Sequence, residues 1–115
     1  MAQPLLVLIS KMLANPTDTL KILYEHDCDG DEEAHDDELI EEVYDDYSSR
    51  CDRAIAIISK RHGKPMRTGG EDDDAIPANG VFRFGLWSIE GRGVFVAATH
   101  EDRELPVLLI AGTTL

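Results

Sequence analysis

The feature that most constrains the fold is an apolar stripe at helical spacing in the middle of the chain. Its members follow one another at steps of one, three or four positions: Leu39, Ile40, Val43, Tyr44, Tyr47, Cys51, Ala54, Ile55 and Ile58. This period predicts one long amphipathic helix over about residues 36–62. Lys60, Arg61 and His62 suit the negative end of its dipole, and Gly63 is a natural C-terminal stop. Because one face is apolar, the helix has to pack against another layer of structure.

Shorter helices are predicted on the N-terminal side of this element. The apolar residues of segment 4–13 recur at three and four positions, which favours a short buried helix over an interior strand. Asn15 can cap a second helix with Pro16 in its first turn. That helix would carry Leu20, Leu23 and Tyr24 inward.

The period changes after Gly63. Residues 64–68 predict a short strand, and GGEDDDAIPANG, residues 69–80, is typical of a mobile loop. The segments GVFRFGLWSIE, VFVAATHE and LPVLLIAGTTL predict an antiparallel meander of three strands, with Trp87 in the sheet core beside Phe82, Phe84 and Phe95. We therefore expect one α+β domain over residues 1–115, in which N-terminal helices, including the long amphipathic one, pack on a C-terminal three- to four-stranded antiparallel sheet.

The net charge argues against several classes of function. The 115 residues include 23 Asp and Glu but only 11 Lys and Arg, a formal net charge of −12. Such a chain repels phosphates and anionic lipids, so we expect neither direct nucleic-acid binding nor membrane binding. It attracts cations and basic protein surfaces instead.

Two further features predict a cytoplasmic protein. The apolar run near the N-terminus has no basic residue before it, unlike a signal peptide, and is too short to span a bilayer. Cys28 and Cys51 do not make a disulfide framework, and they fit two free thiols in a reducing compartment.

Residues for catalysis are not grouped in any recognisable pattern. The four histidines are scattered, and the chain has no Gly-x-Ser-x-Gly turn, His-Glu-x-x-His helix or phosphate-binding Gly loop. The spacing of His26, Cys28 and His35 matches no structural zinc pattern. His100 is interpreted as part of a polar turn. We therefore expect no enzymatic activity and no cofactor.

The acidic residues are concentrated in one stretch. Residues 25–46 include thirteen Asp or Glu and no Lys or Arg. Like charges at this density repel one another and destabilise the fold, which favours a surface that faces a basic partner. The residues predicted to contact that partner are Glu33, Asp36, Asp37, Glu41, Glu42, Asp45 and Asp46.

Within that stretch, DCDGDEEAHDDE, residues 27–38, resembles the calcium loop of an EF-hand. Asp27, Asp29, Asp31 and Glu38 stand at its first, third, fifth and twelfth positions, and LKILYEH precedes it as a helix-like segment. The resemblance implies these four side chains as calcium ligands, together with the backbone carbonyl of Glu33 at the seventh position. The sequence departs from the family at the sixth position, where Glu32 replaces the usual glycine.

The segments SKRHGKP, GLWSIE and HEDRELPVLLIAG, in a small acidic chain, resemble several bacterial immunity-type proteins. That resemblance implies a cytosolic single-domain protein that neutralises a toxin by covering its basic or catalytic surface. Our leading hypothesis is a non-enzymatic acidic binding protein that inhibits a basic partner, such as a toxin or nuclease. The alternatives are a calcium-binding module and a phage-encoded inhibitor that mimics DNA.

Overall fold

The computed structural model describes residues 2–26, 37–102 and 105–114, and in them two helices accompany one five-stranded sheet. The elements are α1 (Ala2–Ala14), β1 (Thr19–His26), α2 (Asp37–His62), β2 (Arg67–Gly69), β3 (Val81–Ile89), β4 (Arg92–Thr99) and β5 (Val107–Thr114). The strand order is β1-β5-β4-β3-β2, and every neighbouring pair is antiparallel. The α+β class is therefore confirmed.

Helix α2 follows the predicted stripe. It begins at Asp37, one residue later than expected, and continues for 26 residues to His62. Its buried face presents Ile40, Tyr47, Cys51, Ala54 and Ile58 to the sheet. The helix ends because Gly63 adopts a φ of 87°, and the Gly63 N–H donates to the Ser59 carbonyl at 2.9 Å.

The second predicted helix is wrong, because the segment after Asn15 forms strand β1. The Asn15 side-chain oxygen accepts hydrogen bonds from the N–H and hydroxyl of Thr17, a local turn that directs the chain into the sheet. Leu20 and Tyr24, expected to face inward, are exposed, and only Leu23 packs against the core. Pairing with the whole length of β5 outweighs the local helical spacing. The sheet consequently has five strands rather than three to four.

The rest of the sheet agrees more closely with expectation. The short strand appears as β2, and β3, β4 and β5 form the predicted meander. Trp87 is buried on the helix side, and its indole N–H donates to the Gly63 carbonyl at 3.0 Å. That hydrogen bond ties the end of α2 to the C-terminal part of β3.

Each face of the sheet has its own apolar cluster. The helix side is packed by α1 and α2, whereas the opposite side buries Phe84, Phe95 and Ile110 under Ile76 from the 70–80 segment. Phe95 lies against Gly112 of β5, where a Cβ would come within 2.6 Å of its ring. The Phe95 ring therefore packs directly against the backbone of β5 at Gly112.

The mobile loop predicted over residues 69–80 contributes Gly69 to β2, and its remainder, the 70–80 segment, packs on that opposite face. Ile76 is 3% exposed, and the Asp72 carboxylate accepts from the Val81 N–H at 2.8 Å. Arg67 forms a bidentate pair with Asp73, at 2.9 and 3.0 Å. Part of this acidic run therefore has a local structural role.

Arg92, at the start of β4, joins α1 to the sheet. Its guanidinium donates to the carbonyl oxygens of Met12, Leu13, Asn15 and Thr17, and to the Thr113 hydroxyl. Carbonyls at a helix C-terminus have no intrahelical partner and attract a cation. Arg92 therefore fixes the end of α1 and the turn into β1.

Within the described ranges, no helix is long and apolar enough to cross a membrane.

Candidate partner-binding surface

The N-terminal half of α2 carries an acidic face, which we define as Glu41, Glu42, Asp45 and Asp46. All four are exposed, whereas Ile40 and Tyr47 on the opposite side of the helix are buried. Helical periodicity therefore placed these predicted partner-binding residues correctly on the surface. Of the remaining predicted residues, Glu33 and Asp36 lie outside the described part of the chain, and Asp37 is described only as the first residue of α2.

Most of the acidic face is not neutralised. Asp46 pairs with Arg50 one helical turn away, at 3.1 Å. Within the described ranges, Glu41, Glu42 and Asp45 make no ion pair. Because Glu41 and Asp45 are four residues apart, their like charges destabilise the helix slightly. The helix dipole does not explain them, since its effect falls off within the first turn.

The charge of α2 reverses along its length. The face beyond Asp46 carries Arg50, Arg53, Lys60 and Arg61, with Asp52 as its one acid. Asp52 is engaged by Arg83 of β3, at 2.5 Å between the Arg83 Nε and a carboxylate oxygen. The concentrated negative charge is therefore confined to the N-terminal half of the helix.

A cluster of two tyrosines and one arginine connects the acidic face to β1. The Arg50 guanidinium carbon lies 4.5 Å above the Tyr24 ring of β1 and 5.7 Å from the Tyr47 ring of α2. Burial raises the pKa of Tyr47, whereas the positive charge of Arg50 lowers it. The carboxylates of Asp46 and Glu25 raise it further. The field of Glu25, at the end of β1, thus reaches the same place as that of Asp46. Glu25 and Asp46 are both exposed, so an acid of the edge strand adds its charge to the region beside α2.

Tyr24 and Arg50 were missed by the sequence analysis. Tyr24 was assigned to the inner side of a helix, yet it is half-exposed beside Arg50. Tyr and Arg are among the residues enriched in protein interfaces. The signal in the sequence was the run TLKILYEH, which alternates as a strand only up to Ile22.

An apolar groove lies next to this cluster, between α1, α2 and β1. Its volume is about 300 Å³, and Tyr24 stands among its lining residues. The lining residues are Pro4, Leu5, Leu8, Leu23, Tyr24, Ala54, Ile57 and Leu109. A groove of this kind can receive an apolar side chain of a partner whose charged residues contact the acidic face.

His100, predicted to be part of a polar turn, is instead a buried connection between β4 and α2. Its Nδ1 lies 2.6 Å from the Tyr44 hydroxyl, and its Nε2 lies 3.0 Å from the Leu105 carbonyl oxygen. Because a carbonyl oxygen can only accept, Nε2 carries a proton, and in the neutral ring Nδ1 accepts from Tyr44. Tyr44 also stacks on Phe82, with 4.7 Å between ring centroids. These contacts give His100 a structural role.

One structural requirement of the EF-hand interpretation, a helix before the loop, is not met. LKILYEH, which an EF-hand needs as its entering helix, forms most of strand β1. The predicted ligands Asp27, Asp29, Asp31 and Glu33 lie outside the described residues, and the side chain of Glu38 does as well. Across the described ranges, no three His, Cys, Asp or Glu side chains are grouped to hold a metal ion.

Cys51 is buried between α2 and the sheet, with its sulfur 3.6 Å from the Arg83 carbonyl oxygen and 3.9 Å from that of Val96. Burial raises the pKa of this thiol from 9.0 to about 12. A thiol in this state is unreactive at neutral pH.

The raised pKa of Cys51 predicts a loss of stability at alkaline pH. Above pH 9 the unfolded chain releases the thiol proton while the folded chain retains it up to about 12, so the free energy of unfolding falls as pH rises. Between about pH 9 and pH 10 we expect the free energy of unfolding to fall by about 1 kcal/mol more in the wild type than in Cys51→Ala. Urea unfolding at pH values between about 8 and 10 measures it. Parallel pH profiles for the two proteins would contradict the prediction.

Comparisons of the chain with protein-family models, with curated proteins and with solved structures found no match. The case for a function therefore depends on the geometry and charge of the surface itself.

Proposed function

We propose that this protein is a non-enzymatic inhibitor that captures a basic protein partner through the acidic face, as a cytoplasmic immunity-type protein captures a toxin or nuclease. The observation that carries the proposal is the exposure of Glu41, Glu42 and Asp45, none of which has an ion-pair partner in the described ranges. Glu33, Asp36 and Asp37 would extend the same surface toward the start of α2.

The energetics of the isolated protein do not account for these charges. Asp72 and Asp73 are engaged by a backbone N–H and an arginine, and Asp52 by Arg83, so these three acids outside the acidic face have local partners. The acidic face repels itself and gains little from the helix dipole. A basic surface would relieve that repulsion on binding.

The arrangement suits rapid, selective capture. Opposite charges on two proteins raise the association rate at low salt by one to three orders of magnitude and reject partners of the wrong sign. Tyr24 and the groove beside it supply apolar contact next to the charges. Charge would set the rate of encounter, and apolar contact would hold the complex together.

The test reverses three of these charges. The variant Glu41→Lys/Glu42→Lys/Asp45→Lys leaves the Asp46–Arg50 pair and the buried side of α2 in place. We expect the association rate to fall at least tenfold at about 50 mM salt and to depend less on salt, since steering by charge is lost. Basic proteins encoded next to this gene serve as candidate partners, and the readouts are stopped-flow association and inhibition of the partner's activity.

The matched control is Glu71→Lys/Asp74→Lys/Glu101→Lys. It makes the same change in net charge at exposed acids outside α2, in the segment after β2 and in the β4–β5 connection. We expect its association rate to stay within about threefold of the wild type, because only the overall charge changes. Equal losses in the two variants, or unaltered capture by the first, would refute a role for the acidic face.

A further inference from the structure

The two edges of the sheet are protected very differently. β2, at one edge, has only three residues, and Arg67 within it is paired with Asp73. β1, at the other edge, has eight residues and is paired on one side only, with β5. In the described part of the chain, no strand pairs with the outer edge of β1. A long open edge is a template for a further strand.

The face of β1 that points away from the helices carries two exposed apolar side chains, Leu20 and Ile22. The register places Leu20 opposite Gly112 and Ile22 opposite Ile110, on the face where Phe95 and Ile110 are buried. The 70–80 segment covers the middle of that face with Ile76, yet Leu20 and Ile22 remain 45% and 54% exposed. The buried apolar cluster therefore continues to an unprotected margin.

A β-bulge brings apolar surface to the other side of β1 as well. The register shifts between Ile22 and Tyr24, so that Leu23 and Tyr24 share the helix side. Leu23 packs on the core, whereas Tyr24 remains half-exposed beneath Arg50. One strand added to this edge would touch Leu20 and Ile22 on one side and Tyr24 on the other.

Charge decides which strand fits. Asp18 precedes β1, the strand itself carries Lys21 and Glu25, and the twelve residues from position 27 contain eight Asp or Glu, so negative charge predominates along this edge. In an antiparallel pair of two copies, Asp18 of each copy would approach the acidic end of β1 in the other, and two chains of charge −12 would repel each other. An extended segment that carries Lys or Arg is attracted to the same edge.

We propose that the outer edge of β1 accepts an extended basic segment of the partner as a sixth strand. Its main-chain groups pair with β1, alternate apolar side chains cover Leu20 and Ile22, and its basic residues contact the acids at the end of the strand. This inference builds on the proposed function, because it specifies which part of a basic partner is bound. The acidic face attracts the partner, and β1 selects an extended segment within it.

A synthetic peptide provides the test. The probe is a peptide of about ten residues that alternates Lys and Val, which favours a strand, and its control alternates Glu and Val. We expect the Lys–Val peptide to slow hydrogen exchange of β1 amides about tenfold or more, and the Glu–Val peptide to leave exchange unchanged. Exchange is read by NMR on the labelled full chain, which maps the bound surface residue by residue.

Two variants test whether the peptide binds at the edge of β1 or to exposed apolar side chains in general. Leu20→Ser/Ile22→Ser removes the apolar margin of β1, and we expect it to weaken Lys–Val peptide binding about tenfold or more. Val7→Ser, on α1, removes an apolar side chain of similar exposure away from β1 and should leave binding unaltered.

The outcomes distinguish this inference from the proposed function. Peptide-induced changes confined to α2, or no binding at all, would overturn the docking of a strand on β1 and leave capture by the acidic face to its own test. Protection of β1 combined with unaltered partner capture by Glu41→Lys/Glu42→Lys/Asp45→Lys would support the edge site and refute the acidic face.

Discussion

Replacement of Arg92 by alanine is expected to lower the free energy of unfolding by about 3 kcal/mol, because a charged donor lost from several carbonyls leaves them without partners. The Arg92 guanidinium donates hydrogen bonds to four carbonyl oxygens between Met12 and Thr17 and to the hydroxyl of Thr113. No water molecule can supply the positive charge that those helix-end carbonyls receive from it. Urea unfolding gives the free energy, and hydrogen exchange in α1 should rise more than exchange in β4.

Two companion variants test this explanation. Arg92→Lys keeps the charge but not the planar fork of donors, so we expect it to fall between the wild type and Arg92→Ala. Arg83→Ala removes an arginine of a half-exposed pair with Asp52, and such pairs contribute no more than about 1 kcal/mol. If Arg92→Ala were no more destabilising than Arg83→Ala, the anchoring role of Arg92 would be wrong.

Alanine at Gly80 is expected to destabilise the fold by about 3–4 kcal/mol, because it combines backbone strain with a main-chain collision. Gly80 has a φ of 70°, and its carbonyl accepts from the His100 N–H at 2.9 Å. A Cβ there would lie 2.9 Å from the Glu101 Cα and closer still to the His100 carbonyl oxygen. Neither neighbour is a flexible side chain that could turn away.

Gly91→Ala is the matched control for this variant. Gly91 has a similar φ of 79°, but a Cβ there meets nothing within 4 Å. We expect a loss of only about 1 kcal/mol, the share due to the positive φ alone. Thermal and urea unfolding of the two variants measure the difference, and equal losses would show that the contact with His100 is unimportant.

The long helix could be predicted from the sequence because its signal is local and repeated. The apolar stripe from Leu39 to Ile58 repeats at helical spacing over most of α2, and Gly63 marks its end without ambiguity. The meander of β3, β4 and β5 was equally accessible, because turns interrupt runs of β-branched and aromatic residues.

Strand β1 could not be predicted in the same way. Leu20, Leu23 and Tyr24 stand three and four residues apart, which is the spacing of a helix face. In the structure Leu20 lies on the face away from the helices, whereas the bulge puts Leu23 and Tyr24 together on the helix side, so the helical spacing does not mark a single face. A bulge depends on the partner strand β5, almost ninety residues further along the chain, so the local sequence does not reveal it.

The candidate surface was predictable in its residues but not in its balance of charge. Helical period alone places Glu41, Glu42 and Asp45 on the surface. Asp52 is neutralised by Arg83, which lies on a distant strand. Tyr24 adjoins the acidic face because of the position of β1. Sequence therefore identified the acids, and tertiary structure separated those with partners from those without.

The reversal of charge along α2 also affects how an encounter begins. Opposite charges on the two halves of a 26-residue helix give an electric moment along the helix axis, which is about 39 Å long. A basic protein at a distance comparable to the Debye length of about 8 Å exerts a torque on that moment. If the proposed partner is captured in this way, the acidic end would turn toward it before the two surfaces meet, which would shorten the rotational search for the bound orientation.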